Sequence, residues 1–253
     1  WLGTVNGIVR YTPETGEYKS FYFPCDFGEE GQSYILSLYR DGGTLWAGTN
    51  SEGLLRINTS DMTYTRYSSR PESRLKLLSD KIMVITKDKE GNIWAGTMNG
   101  GINVISRDLR SVRYLTTQNG LTSNLVFGLL ADNSGFVWAS TTKGLVRIDH
   151  RSLKTRSYTK SDGVLSVDFN QNGYYAGADG KFYFAGSRGI TVFDPKNVQR
   201  SGIIPKLALT DLKVLNEPAL ARLKNGELVL EHDENFFSFE MAAITFEDPE
   251  YSL

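Results

Sequence analysis

The clearest hydrophobic patterning in this chain runs from Leu125 to Thr159. Leu125-Val-Phe-Gly-Leu-Leu-Ala131 is apolar without alternation, as in a strand covered on both faces. Asp132-Asn-Ser-Gly135 then reads as a hairpin turn, its glycine able to take a positive φ. Phe136-Val-Trp-Ala-Ser-Thr141 predicts a second strand, and Lys143-Gly144 turns into a third at Leu145–Asp149. Lys154-Thr-Arg-Ser-Tyr-Thr159 alternates polar and apolar residues and predicts an outer edge strand. The same order fits Tyr34 to Tyr67 and Lys81 to Leu115.

The second strand of this unit recurs. Near-copies begin at Trp1 (WLGTVNGIVRY), Trp46 (WAGTNSEGLLRIN), Trp94 (WAGTMNGGINVIS), Trp138 (WASTTKGLVRID) and Tyr183 (YFAGSRGITVFDP). The steps are 46−1 = 45, 94−46 = 48, 138−94 = 44 and 183−138 = 45 residues. A period of that size built from strands predicts four-stranded β-propeller blades. Each Trp is expected to wedge between adjacent sheets, beside small residues such as Ala47-Gly-Thr and Ala95-Gly-Thr where the strand enters a crowded interior. Trp1 falls where a tryptophan sits inside the other repeats, so further blades are expected upstream and the ring is not expected to close on these repeats alone.

The repeats stop after Phe193-Asp-Pro195. The expected division is a propeller over 1–197 with about four to five blades, a linker over 198–205 whose Pro205 stiffens the entry, and a second domain over 206–253. In that domain Lys206–Leu215, Glu227–Leu230 and Phe236–Met241 predict strands, with Asn216-Glu-Pro218 and Glu231–Glu234 as turns. This is the opening of an immunoglobulin-like β-sandwich. The fold class is therefore all-β.

Composition narrows the function. Net charge is −1, from 28 basic and 29 acidic residues, so no overall field favours nucleic acid or anionic lipid. Cys25 is the single cysteine, which rules out an intrachain disulfide and a cysteine-based metal site. No motif for a nucleophilic hydrolase, a zinc protease or a phosphate-binding loop appears. The turns at Asp41, Asp88, Asp132 and Asp179 are too short for a helix-loop-helix calcium site, so each aspartate is expected to cap its own hairpin. His150 and His232 fall at strand ends or turns and are expected to be solvated. No catalytic residue, metal or cofactor is implied.

The repeats GNIWAGTMNGGINVIS and SGFVWASTTKGLVRID, preceded by phrases such as GLTSNLVFGLLAD, resemble the regulator-propeller repeats of bacterial sensor proteins. The segment IIPKLALTDLKVLNEPAL…FFSFEMAAITFEDPEYSL resembles the Tyr-rich immunoglobulin-like module that follows such propellers. In that order the pair is similar to the extracytoplasmic half of Bacteroidetes hybrid two-component sensor kinases. The resemblance implies a periplasmic sensor with a downstream membrane helix, homodimerisation in the full-length protein, and histidine kinase activity outside these residues. It further implies a glycan-derived oligosaccharide ligand and control of polysaccharide-utilisation genes. A propeller glycoside hydrolase or polysaccharide lyase is the alternative, because a pair of catalytic carboxylates is a spatial arrangement that sequence does not reveal.

Recognition is expected on the face carrying the loops between blades and between second and third strands. The candidate ligand-binding residues there are Asn50, Glu52, Arg70, Arg74, Asn99, Gln118, Asn119, Lys143, Asn170, Gln171 and Arg188, with Tyr174 offering a stacking face. Amide, guanidinium and carboxylate groups give sugar hydroxyls directional hydrogen bonds.

Overall fold

The computed structural model describes residues 1–24, 34–198, 206–224 and 226–244. Cys25, Pro205 and the expected joint beyond Val198 lie outside the described residues. The chain divides into two compact units, parting after Val198.

The first unit is a series of antiparallel meanders. Blade I holds β1 (Leu2–Thr4), β2 (Gly7–Thr12) and β3 (Glu17–Phe21). Blade II holds β4 (Ile35–Asp41), β5 (Thr44–Thr49), β6 (Leu54–Asn58) and β7 (Tyr64–Tyr67). Blade III holds β8 (Ile82–Lys87), β9 (Ile93–Thr97), β10 (Ile102–Ile105) and β11 (Val112–Leu115). Blade IV holds β12 (Val126–Ala131), β13 (Phe136–Thr141), β14 (Gly144–Asp149) and β15 (Thr155–Tyr158). Blade V holds β16 (Phe169–Ala176), β17 (Phe182–Gly186) and β18 (Gly189–Phe193).

The first strands β4, β8, β12 and β16 lie against one another in that order and form the inner rim. That position explains the apolar sequences of β8 and β12, which are largely covered on both faces, whereas β4 and β16 carry polar residues and are more exposed. Between the blades lie the cores. Trp46, Trp94 and Trp138 are 3%, 0% and 1% exposed, and each packs with apolar residues of its own and the following blade. The small residue after each Trp-Ala pair is fixed by that crowding: a Cβ on Gly96 would stand 2.6 Å from Val84 and 2.8 Å from Val126 of the next blade. Blade I shows the converse. Leu2 and Tyr11 are 56% and 49% exposed, while their repeat equivalents in blade II, Ala47 and Ile57, are sealed against blade I.

Every inner strand carries a bulge. In blades II, III and IV one extra residue interrupts the register, at Leu36, Met83 and Phe127. In blade V the interruption is longer: Phe169 pairs with Gly186 and Tyr174 with Phe184, so Asn170–Gly173 stand opposite Ala185 alone. Asn172 takes φ 58 there, a conformation asparagine tolerates better than most residues.

The second unit is a three-stranded sheet of order β20-β19-β21, with β19 at Lys206–Val214, β20 at Glu217–Pro218 and β21 at Phe237–Ile244. Leu212 and Val214 form its core with Ala219, against Leu209, Leu228 and Leu230. The strand expected at Glu227–Leu230 is not formed. Its leucines pack inward, but its backbone pairs only through an isolated bridge between Lys224 and Glu227. The turn expected at Glu231–Glu234 is present, and Arg222 grips Glu234 with two hydrogen bonds that hold its carboxyl down at about 2. No helix among the described residues is long and apolar enough to cross a membrane.

Candidate functional site

A four-stranded meander puts its turns on two opposite faces. The first face carries the turns between second and third strands and the loops between blades. The second carries the turns between first and second, and between third and fourth, strands.

On the first face a threonine builds the turn. Thr49, Thr97 and Thr141 end their strands, and each hydroxyl donates to the carbonyl of Gly53, Gly101 or Gly144 across the turn. The same oxygens accept from the backbone N–H of Glu52, Gly100 and Lys143. This clamp leaves Asn50, Asn99 and Lys143 exposed on the turn tips, and Arg188 is exposed on the equivalent turn of blade V. Gln118 is exposed on the loop between blades III and IV, whereas Asn119 shapes that loop, accepting from Thr116 N–H and donating to the Tyr114 carbonyl. Asn170 and Gln171 project from the long bulge of β16. Arg74 is exposed on the loop between blades II and III. These residues share one face but spread over four blades.

Two candidates are engaged with each other. The Glu52 side chain is wholly buried, 2.7 Å from the Arg66 guanidinium and 3.3 Å from that of Arg70. Tyr174 does not stand on a loop: it packs between the cores of blades III–IV and IV–V, beside Gly128, and burial raises its phenol pKa.

On the second face Asp88, Asp132 and Asp179 do cap their own turns, and they do more, whereas Asp41 binds Lys87 instead of its own turn. Asp88 accepts from the N–H groups of Glu90 and Asn92 with Oδ1, and Asp132 from those of Ser134 and Phe136. The other oxygen of each accepts from a blade tryptophan: Trp94 Nε1 donates to Asp88 at 2.9 Å and Trp138 Nε1 to Asp132 at 3.0 Å. Tyr183 donates to Asp179 in blade V, so the tyrosine keeps the bond that the tryptophan makes elsewhere. Sequence alone pointed to the caps but not to the indoles, although a constant spacing (94−88 = 6 and 138−132 = 6) carries the signal.

Asp88 supplies a pH dependence. Burial pushes its carboxyl up, but the Trp94 indole, the Asn92 side chain and the two turn N–H groups outweigh that and hold it below the ordinary aspartate value. A folded pKa below the unfolded one gives stability above the unfolded value of about 3.9, lost as pH falls through the folded value. The melting temperature should therefore drop on acidification below about pH 4, and the gap between the native protein and Asp88→Asn should narrow there. A gap that stays constant across that range would refute the assignment.

His150 is a correction to the expectation of a solvated side chain. It is 3% exposed, because it fills the gap between blade IV and the Asp88–Gly91 turn of blade III, with Nδ1 3.7 Å from Asp88 and 3.8 Å from Glu90. His232 is exposed as expected.

Residues 76–99 match the family described as two component regulator propeller. Histidine kinase P4 of Formosa agariphila is 23% identical, over 86% of this chain and 20% of its own length. Among solved structures, the extracellular domain of a one component system from B. thetaiotaomicron superposes with a TM-score of 0.58 at 16% identity, over 95% of this chain and 45% of that one. PorZ, a surface component of the type-IX secretion system of Porphyromonas gingivalis, gives a TM-score of 0.53 at 18% identity, over 76% of this chain and 30% of its own. The chain thus spans a fifth of the curated relative it matches and less than half of either solved structure. One stretch of it, residues 76–99, is similar to the two component regulator propeller family, and most of its length is similar to part of a histidine kinase.

Proposed function

We propose that this chain is the extracytoplasmic ligand-sensing region of a hybrid two-component sensor kinase. The observation that carries the reading is the regulator-propeller match over residues 76–99, set in blades whose turn tips present exposed amides and cations. The ligand is a glycan-derived oligosaccharide, and the response is expression of polysaccharide-utilisation genes. The region lies in the periplasm, tethered through a downstream membrane helix, and acts as a homodimer in the full-length protein. The exposed outer face of blade I supports an array that continues with further blades, and the second unit supports the opening of an immunoglobulin-like sandwich. Ligand shifts the balance between two arrangements of the protomers only by as much as it binds one better than the other.

Calorimetric titration with a panel of oligosaccharides, with reducing-sugar and unsaturated-uronate assays on the same mixtures, tests this. Binding without product formation is expected. Turnover lost on replacing one acid would replace the sensor with a glycoside hydrolase or lyase.

A further inference from the structure

Blade II breaks the aspartate–indole rule of its neighbours, and the break opens a cavity on the second face. In blades III and IV five residues separate the paired strand ends, Lys87 from Ile93 and Ala131 from Val137. In blade II, Asp41 pairs directly with Thr44 across Gly42-Gly43. The shortened turn takes Asp41 away from Trp46, and its carboxylate binds Lys87 of blade III instead. The indole N–H of Trp46 is left with no acceptor among the described residues, although the side chain is 3% exposed.

A second difference enlarges the space. Arg56 lies opposite Trp46 in the register, as Arg147 lies opposite Trp138. Arg147 rests on the rings of Phe136 and Trp138, at 4.5 and 5.8 Å, and is 9% exposed. Blade II has Thr44 where blade IV has Phe136, so Arg56 has no such ring and stands exposed. The result is a cavity of about 430 Å³ between blades II and III, bordered by Thr44, Trp46, Arg56, Lys89 and Arg107. That volume falls within the range of small-molecule sites, about 300–1,000 Å³.

Charge decides what fits. The acids at this cavity are already engaged: Asp41 pairs with Lys87 and Glu90 with Arg151, and Asp88 is hydrogen-bonded within its turn and to Trp94. Arg56, Lys89 and Arg107 have no carboxylate partner among the described residues. Two unpaired guanidinium groups, a hydroxyl and an indole N–H without an acceptor border one space, so it calls for an anionic acceptor.

We propose that this cavity binds the carboxylate or sulfate group of an acidic oligosaccharide, with Arg56 and Arg107 pairing with the charge and the Trp46 indole donating to an oxygen. Charge-assisted bonds from arginine to such groups are the strong ones. The proposal rests on the sensor reading above and names its ligand class and a site on the face opposite the loops.

The test is calorimetry on the whole chain with four probes: tetragalacturonate, a chondroitin sulfate tetrasaccharide, maltotetraose and cellotetraose. An acidic probe should bind, and more weakly as salt rises. The Arg56→Gln/Arg107→Gln double variant should lose at least about tenfold in affinity. Trp46→Phe should also weaken binding while leaving the melting temperature unchanged, which separates a binding role from a structural one. Binding of any probe that is indifferent to all three substitutions would overturn this site and leave the sensor reading standing. No binding by any of the four would count against both.

Discussion

Replacing Trp94 with alanine should lower unfolding free energy by about 3–5 kcal/mol, among the largest single-residue effects expected in this fold. The indole is fully buried at the junction of blades III and IV, among Val84, Ile102, Val126, Leu129 and Val146. Removing it opens a cavity that strands fixed on both sides cannot collapse into. Its N–H also satisfies one oxygen of Asp88, a carboxylate whose side chain is 2% exposed. Trp94→Phe separates the two contributions: it keeps most of the ring but strips a donor from a buried acid, at about 1–3 kcal/mol. Trp46→Phe makes a like cut in blade II, where the N–H has no acceptor to lose, and should be close to neutral in chemical denaturation. Equal losses at Trp46 and Trp94 would show that ring volume alone matters and that the aspartate–indole bond contributes nothing.

The contrast between these two tryptophans also marks what was legible in the sequence. Blade boundaries were readable because each blade is a local meander: the Trp-Ala-Gly-Thr phrase, the apolar strand before it and the turn glycines lie within one repeat. Contacts between repeats were not. His150 reads as a strand-end histidine, and only the arrangement of blades brings the Asp88–Gly91 turn over it. Asp41 reads like the other hairpin aspartates, and only its shorter turn and the nearness of Lys87 send its carboxylate elsewhere. The loop face followed from topology, but which of its polar groups are spent on one another did not. The cavity at Arg56 and Arg107 went unseen because the differences that make it, the shorter turn after Asp41 and Thr44 at the position of Phe136, have meaning only when blades are compared in register. Glu227–Leu230 failed for a different reason. Its leucines satisfy an apolar pattern by packing with Leu212 and Val214, without forming a ladder among the described residues.

Arg66→Met should destabilise the propeller by about 3–5 kcal/mol, because it leaves a buried carboxylate short of its main counter-charge. Glu52 sits in the second-to-third turn of blade II at the place Gly100 holds in blade III, and its side chain points inward with none of its surface exposed. Arg66 reaches it from β7 at 2.7 Å and also donates to the Pro24 carbonyl, while Arg70 approaches at 3.3 Å from the loop that follows. The arginines are 19% and 20% exposed, so water reaches them more readily than it reaches Glu52. That asymmetry fixes the expected order. Glu52→Gln removes the buried charge and leaves cations that solvent can stabilise, so it should cost less than Arg66→Met. In the double variant the loss of Arg66 should be much cheaper than in the native background, a coupling of about 1–3 kcal/mol in a double-mutant cycle. Additive losses would mean that Glu52 is not held by Arg66 and is open to solvent and ligand. A strong coupling would give Glu52 and Arg66 a structural task, tying the turn of blade II to its outer strand β7. The loop face would then keep Asn50, Arg74, Asn99, Gln118, Lys143, Arg188 and the amides of the β16 bulge as exposed polar groups.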